Sequence, residues 1–242
     1  MDIYLGAALS AMSTALGALP AMIFRDVSHR RKDTLLAYTA GIMVAASTYG
    51  LIPAALKLSS LWALALGILL GTAVLTWLEH SLPHTDPAHS PPSGETSRAL
   101  LFLISMGLHN LPEGLSVGVS YASGSQELGP LVSFAIGLQN VPEGFLIVLF
   151  LLTRGISPIK AFFYTCLTGL IELLSAFAGI RFSEGFAGIV PYGLSFAAGA
   201  MLFVVYKELI PESHGDGNER TSTFAFIFGL LTMIALTEKL GP

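Results

Sequence analysis

Charged residues are scarce in this chain. Only 12% of its 242 residues are charged and 53% are hydrophobic, whereas a soluble domain usually carries about 25% charged residues. The chain therefore has too few polar side chains to cover the surface of a soluble protein of this length. The net charge of −4 likewise provides no basic footprint for a nucleic acid.

Cysteine and the common catalytic motifs are also rare or missing. The single cysteine, Cys166, falls in an apolar stretch and excludes an intramolecular disulfide. No His-Glu-x-x-His motif, phosphate-binding loop or Ser–His–Asp assembly is visible in the sequence. These absences argue against an intramembrane enzyme, so we predict no enzymatic activity and no resident cofactor.

Long apolar runs are abundant instead. A bilayer core of roughly 30 Å needs about 20 apolar residues per helix, and the alternating pattern of a β-barrel is absent. We therefore predict an all-α integral membrane protein, a single membrane domain over residues 1–242, with eight transmembrane helices. The predicted spans are residues 3–24, 34–56, 58–78, 99–121, 131–153, 159–180, 186–206 and 221–237.

The loops between these spans differ in basic residues, and cytoplasmic loops of membrane proteins are enriched in Lys and Arg. With the N-terminus outside, the outer loops hold Lys57, Arg181 and Lys239. The inner loops then hold Arg25, Arg30, Arg31, Lys32, Arg98, Arg154, Lys160, Lys207 and Arg220. We therefore expect a multi-pass protein of the cell (inner or plasma) membrane with both termini extracellular or periplasmic.

Two internal repeats organise the chain. Residues 107–114 (GLHNLPEG) recur as residues 137–144 (GLQNVPEG). A weaker match, at an offset of 158, links AGIM at 40–43 and LIP at 51–53 with AGAM at 198–201 and LIP at 209–211. The same offset aligns the first span with the sixth and the third with the eighth, partners that cross in opposite directions. This predicts a 3+2+3 inverted-repeat arrangement, although small residues also recur for helix packing alone.

Three charged residues fall deep inside predicted spans, and all are acids: Glu113, Glu143 and Glu172. A charge at mid-membrane costs at least about 2.5–3.5 kcal/mol. No Lys or Arg of the sequence falls deep in a span to pair with these acids. A bound cation is the simplest compensation.

The spacing around these acids indicates ligands. His109 and Glu113 are four residues apart and share one helix face, with Asn110 beside them. Pro112 removes a backbone donor and kinks the helix. The sister motif repeats the pattern with Gln139, Asn140, Pro142 and Glu143. The alternative interpretation is that the prolines and glycines serve packing and that His109 is a hydrogen-bonded interior residue.

These motifs resemble those of the ZIP (Zrt/Irt-like) family of divalent metal-ion transporters, bacterial type. HNLPEG at residues 109–114 is similar to that family's fourth-helix signature, and QNVPEG at 139–144 to its fifth-helix signature. Glu172 occupies the position of the sixth-helix acid. The segment ELIPESH at residues 208–214 is similar to the end of that family's seventh helix. This segment adds Glu208, Glu212 and His214 to the candidate metal ligands.

The resemblance implies a binuclear metal centre within the membrane. It assigns His109, Glu113, Gln139 and Glu143 to one site and Asn110, Asn140 and Glu172 to the other, with Glu113 and Glu143 bridging the two. It also implies that helices 1, 4, 5 and 6 move against helices 2, 3, 7 and 8, often in a homodimer. Gln139 stands where many members carry His, and Asn140 stands where some members carry an acid. These two differences leave open how tightly the second site binds a metal ion.

One imidazole with carboxylates and amides suits Zn²⁺, Cd²⁺, Fe²⁺ or Mn²⁺, and no thiolate selects a softer ion. We predict transport of divalent transition-metal ions, zinc first, across the bilayer into the cytoplasm. A channel lined by the same acids stays open as an alternative, and saturable flux would argue against it. A carrier of a non-metal solute and a structural or receptor-like protein explain the buried acids less well.

The remaining histidines lie towards the predicted cytoplasmic side. The loop at about residues 80–97 contains His80, His84 and His89 with Asp86 and Glu95. It is either a receiving site for ions or a polar linker. Glu208, Glu212 and His214 end the seventh span on the same side, where an exit or gating role is expected. His29 is interpreted as a solvated loop residue.

Overall fold

The computed structural model describes residues 2–24, 27–81, 95–215 and 217–240. These residues form helices and no strand, which confirms the all-α class. Eight of the helices are long and apolar enough to cross a membrane, the predicted number. In chain order they are α1 (Ile3–Ile23), α2 (His29–Leu58), α3 (Leu61–Ser81), α4 (Glu95–Ala122), α5 (Leu128–Thr153), α6 (Pro158–Gly185), α7 (Val190–His214) and α8 (Glu219–Leu240).

Several helices extend beyond the apolar spans predicted for them. α2 begins at His29 rather than at residue 34, and α7 continues to His214 rather than ending at residue 206. Hydropathy reports where side chains are apolar, whereas a helix continues through polar residues as long as its backbone groups stay paired. Where the bilayer begins and ends along each helix stays a prediction.

Both ends of the predicted loop at residues 80–97 are helical. His80 belongs to α3, which ends at Ser81, and α4 begins at Glu95. His84, Asp86 and His89 lie outside the described residues. The predicted ion-receiving role of this loop therefore stays a prediction.

The helices pack as four close pairs: α1 with α5, α4 with α6, α2 with α8, and α3 with α7. Contacts of α1 with α6 and of α4 with α5 gather α1, α4, α5 and α6 into one group, called the bundle below. The other four helices, α2, α3, α7 and α8, form the frame. Bundle and frame meet where α2 contacts α5 and where α4 contacts α7.

Glycine sets how closely the paired helices approach. Between α2 and α8, a methyl group added to Gly41 would lie 2.1 Å from the carbonyl oxygen of Phe226. Between α3 and α7, a methyl group added to Gly199 would lie 2.2 Å from the carbonyl oxygen of Ile68. Both distances are far shorter than van der Waals contact. Backbone packs directly on backbone at these crossings, as in other membrane helix pairs with small residues at the interface.

α2 and α7 each contain one wide, π-helical turn. The turn spans Ala46–Leu51 in α2 and Val205–Leu209 in α7. A proline, Pro53 or Pro211, lies two residues after each turn. Proline lacks the donor that a regular turn requires, and a π turn is one way in which a continuous helix accommodates that loss.

Alanine at Gly41 or Gly199 should destabilise the fold by about 1–3 kcal/mol, because the added methyl group meets backbone that cannot rotate away. Gly50→Ala is the matched control, since a methyl group at Gly50 meets nothing within 4 Å. Thermal unfolding of the detergent-solubilised protein, followed by circular dichroism, measures the effect. We expect a lower Tm for both close-packed positions and a Tm near wild type for the control. Equal losses in all three variants would contradict the assignment.

Candidate metal centre

The two sister motifs lie on neighbouring helices of the bundle, one on α4 and one on α5. Both helices continue through their prolines, Pro112 and Pro142. The Ser116 hydroxyl, one turn after Pro112, donates to the carbonyl oxygen of Glu113 at 2.6 Å. The motifs therefore present their polar side chains from unbroken helices.

The first contact between the motifs joins Glu113 to Gln139. Both side chains are fully buried, and Nε2 of Gln139 donates to Oε1 of Glu113. Oε2 of Glu113 and Oε1 of Gln139 are buried without a hydrogen-bond partner in the described part of the chain. A buried acceptor left unpaired is costly. Both oxygens are suitable ligands for a cation.

A second contact gathers three helices around Glu172 on α6, which is only 1% exposed. The Ser10 hydroxyl on α1 donates to Oε1 of Glu172 at 2.6 Å. Nδ2 of Asn140 on α5 lies 2.7 Å from Oε2 of Glu172 and 3.0 Å from the carbonyl oxygen of Ser10. Both carboxylate oxygens of Glu172 are therefore held by side chains from other helices.

Glu143 is the acid of the second sister motif. It is half-buried on α5 and interacts electrostatically with His109, Glu113, Glu172 and Glu208. Carboxylates that share one site disfavour each other's charge. In an apolar membrane interior that repulsion is strong, and a divalent cation would remove it.

His109 connects the motifs to the frame. Its Nε2 lies 2.8 Å from Oε2 of Glu208, which is half-buried on α7. The distance is that of an ion pair, but Nε2 is not aligned for a hydrogen bond. Because α4 belongs to the bundle and α7 to the frame, this contact crosses the boundary between the two groups.

The other two predicted residues of α7 lie further along the same segment. Nδ1 of His214 lies 2.9 Å from the carbonyl oxygen of Ile210 and 3.1 Å from the Ser213 hydroxyl. Glu212 is exposed. Glu208 contacts His109 of a sister motif directly, and Glu212 interacts electrostatically with the same histidine.

Ser10 is the residue that sequence reasoning missed. It lies in a run of small side chains on α1, and such runs usually serve helix packing. A serine of this kind carries no distinguishing signal in a single sequence. Its contact with Glu172 depends on the packing of α1 against α5 and α6, which residue spacing does not reveal.

The donor set fits a divalent cation that is cargo. Within the described residues, no group of three or more His, Cys, Asp or Glu side chains is arranged to hold a metal. Amides complete the set, because Gln139 and Asn140 each carry one nitrogen and one oxygen. Rotation of either amide would turn an oxygen towards an ion without moving the backbone. An imidazole with carboxylate and amide oxygens suits zinc and its neighbours.

Comparison with known proteins identifies a family of transporters. A family model described as ZIP Zinc transporter matches residues 82–237. Zinc transporter GufA of Myxococcus xanthus is 35% identical, with 96% of each chain covered. Zinc transporter ZIPB of Bordetella bronchiseptica is 37% identical over 98% of this chain and 81% of its own length. Zinc transporter ZupT of Corynebacterium aurimucosum is 29% identical over 93% and 92% of the two chains.

The family match extends over more than half of the chain, and the relatives are similar over nearly their whole length. The eight helices satisfy the requirement for a multi-pass membrane protein. The members are transporters, which agrees with the prediction that the chain is not an enzyme. This chain belongs to the ZIP zinc transporter family.

Proposed function

We propose that this protein carries zinc, and with poor discrimination Cd²⁺, Fe²⁺ and Mn²⁺, across the membrane into the cytoplasm. The supporting observation is the pair of buried acids, Glu113 and Glu172, each held by an amide of the sister motif on α5. The relatives GufA and ZIPB are named as zinc transporters. The other three ions accept the same nitrogen and oxygen ligands.

Two ions would bind side by side. One site comprises His109, Glu113, Gln139 and Glu143, and the other comprises Asn110, Asn140 and Glu172. Glu143 supports this division because it interacts electrostatically with both groups. Nδ2 of Asn110 is buried without a hydrogen-bond partner among the described residues. Turning this amide would offer an oxygen to an ion beside Glu172.

Ser10 positions Glu172 in this scheme. Its hydroxyl fixes one carboxylate oxygen while Asn140 fixes the other. A carboxylate held in one orientation loses less conformational freedom when it binds an ion. Ser10 would therefore strengthen binding at the second site.

The direction of transport rests on the basic loops. The excess of Lys and Arg on one side supports an orientation with both termini outside. Glu208 and the end of α7 then lie towards the cytoplasm, on the exit side of the paired motifs. Pairing of two copies as a homodimer stays a prediction.

An inverted repeat would provide the two conformations that alternate during transport. At its offset of 158, Gly41 corresponds to Gly199 and Ile68 corresponds to Phe226. The close helix contacts correspond in the same way, because Gly41 packs against Phe226 and Gly199 packs against Ile68. The π turns of α2 and α7 also fall at matching positions. These correspondences support the 3+2+3 arrangement, in which the halves exchange conformations to open the site to either side.

Movement of the bundle against the frame would carry the ions. The contact between His109 and Glu208 lies across that boundary and would break when the bundle moves. Glu208 is then available to receive an ion that leaves His109. The contact supports a gating role for Glu208, and Glu212 and His214 at the end of α7 keep the predicted exit role.

Loss of zinc uptake in Glu143→Ala is the first test. Wild-type protein in liposomes loaded with a fluorescent zinc indicator should show saturable uptake, and the variant should lose at least about tenfold of it, since Glu143 would contribute to both ions. Glu127→Ala is the matched control, because Glu127 is an exposed acid just before α5. Its uptake should equal wild type.

Other outcomes of the same measurement separate the alternatives. Fast uptake without saturation would favour a channel over a carrier. Equal uptake in wild type and Glu143→Ala would contradict the assigned site. If correctly inserted protein took up none of the ions zinc, cadmium, iron and manganese, the proposed cargo would be wrong. The description of the fold would be unaffected.

Ser10→Ala should weaken the second site and spare the first. A hydrogen bond to a charged group contributes about 1.5–3 kcal/mol, so we expect the zinc affinity of the second site to fall by tenfold or more. Isothermal titration of purified protein resolves the two binding steps. Ser13→Ala is the control, since the Ser13 hydroxyl bonds to the carbonyl oxygen of Leu9 in its own helix. Unchanged affinities in Ser10→Ala would contradict the positioning role.

Glu208→Gln should slow transport more than it weakens binding. The substitution keeps the side-chain size but removes the charge that attracts His109 and the departing ion. We expect zinc uptake to fall by about tenfold, the size of one lost charged contact. The equilibrium zinc affinity should stay within about twofold of the wild-type value. Glu219→Gln, an exposed acid at the start of α8, is the control. Parallel loss of uptake and affinity would make Glu208 a ligand of the paired motifs instead.

A further inference from the structure

Two cavities lie at the boundary between bundle and frame. The larger, about 610 Å³, lies where α1 ends, α2 begins and α5 passes beside them. Phe24, Leu35 and Phe145 form much of its apolar wall, and Arg31 and Thr34 add polar groups. A volume of this size falls in the range of sites that bind small molecules, about 300–1,000 Å³.

The smaller cavity, about 380 Å³, lies where α6 ends and α7 begins, beside α3 and α4. Its walls include Leu115, Phe182, Ile189, Tyr192 and Gly193. Within the described part of the chain, no charged residue lines it. The ends of α1 and α6 face opposite sides of the membrane, because one helix is odd-numbered and the other even-numbered.

The internal repeat relates the two cavities position by position. The offset of 158 carries Phe24 to Phe182 and Leu35 to Gly193. The offset of the sister motifs carries Leu115 to Phe145. The same kind of opening therefore occurs once in each half of the protein, so it is a feature of the repeated architecture. The two openings differ in chemistry, since the repeat places Ile189 where the larger cavity has Arg31.

We propose that the larger cavity binds an anionic phospholipid, with its phosphate against Arg31 and an acyl chain along the wall formed by Phe24, Leu35 and Phe145. The side chains beside the opening are accessible to lipid: Ile23 is 77% exposed and Phe24 is 65% exposed. An apolar wall with a cation at one end matches an amphiphile whose headgroup is an anion. The smaller cavity, without a cation, would accept an acyl chain without selecting a headgroup.

Charge supports an anionic headgroup over a zwitterionic one. Arg31 is exposed and lies between two other basic residues, Arg30 and Lys32, in the first turn of α2. Arg31 is the basic residue of this turn that lines the cavity, and one basic residue close to an anionic lipid contributes about 1 kcal/mol of attraction. The hydroxyl of Thr34 lines the same cavity, although it donates to the carbonyl oxygen of Arg30 in this conformation.

A lipid in this cavity would contact both moving groups. Its acyl chain would lie against Phe145 of the bundle and Leu35 of the frame at once. If the bundle moves as proposed above, the lipid would fill the space that opens between the bundle and the frame. This consequence rests on the proposed transport mechanism, whereas lipid binding itself does not.

Native mass spectrometry of the purified full chain tests the proposal, with phosphatidylglycerol and phosphatidylcholine of identical acyl chains as probes. Wild type should bind the first phosphatidylglycerol about fivefold more tightly than phosphatidylcholine. Arg31→Ile, which installs the residue of the smaller cavity, should remove that preference. Arg30→Ile is the matched control, since Arg30 is exposed in the same helical turn and does not line the cavity. It should keep the preference within about twofold.

Two results would overturn the proposal. One is equal binding of the two lipids by wild type. The other is an equal loss in Arg31→Ile and Arg30→Ile, which would indicate diffuse attraction to the basic turn. Zinc uptake by Arg31→Ile in phosphatidylcholine liposomes separates this proposal from the proposed function. Uptake at the wild-type level with no lipid preference in wild type would remove the lipid site and keep the transporter.

Discussion

Buried carboxylates in an apolar solvent are the constraint on which this structure depends. A helix in lipid pairs its own backbone N–H and C=O groups by hydrogen bonds. The carboxylates of Glu113 and Glu172 find no such partner within their own helices. Each reaches a donor on another helix, Gln139 in one case and Ser10 with Asn140 in the other. Such reach requires helices that pack closely, which small residues at the interfaces permit. Charge satisfaction and backbone packing are therefore two parts of one requirement.

The choice of amides as partners of these acids has a consequence for a transporter. A protein that releases its ion must satisfy the same acids when the ion has left. Gln139 and Asn140 donate to carboxylates in the conformation described here, and the opposite end of each amide is an oxygen ligand. A lysine in either place would neutralise the acid permanently and compete with the cation. An amide can serve both the loaded and the empty state because it has no charge to remove.

Sequence patterns predicted the parts of the site that lie within one helix. His109 and Glu113 share a face because of their spacing, and the duplicated motif indicated that α4 and α5 act together. Hydropathy gave the number of helices, because each apolar run is long enough to cross a bilayer. The contact of Glu208 with His109 was not predictable in this way. It depends on how α7 of the frame lies against α4, and no local pattern encodes the distance between two helices far apart in the chain.

The most informative departure from the internal repeat concerns Glu172. A methyl group on Gly144 would lie 2.0 Å from the carbonyl oxygen of Thr14, and one on Gly114 would lie 2.0 Å from that of Glu172. The backbones of Thr14 and Glu172 therefore occupy corresponding places, but only one of them carries an acid. The hydroxyl of Thr14 is buried without a partner among the described residues, whereas both oxygens of Glu172 are bonded. Glu113 and Glu143 occupy equivalent positions of the sister motifs, whereas Glu172 corresponds to Thr14. Glu172 therefore adds a third acid whose counterpart on α1 is a hydroxyl, and its carboxylate is held by Ser10 of α1 and Asn140 of α5 rather than by a repeat of the contact between Glu113 and Gln139.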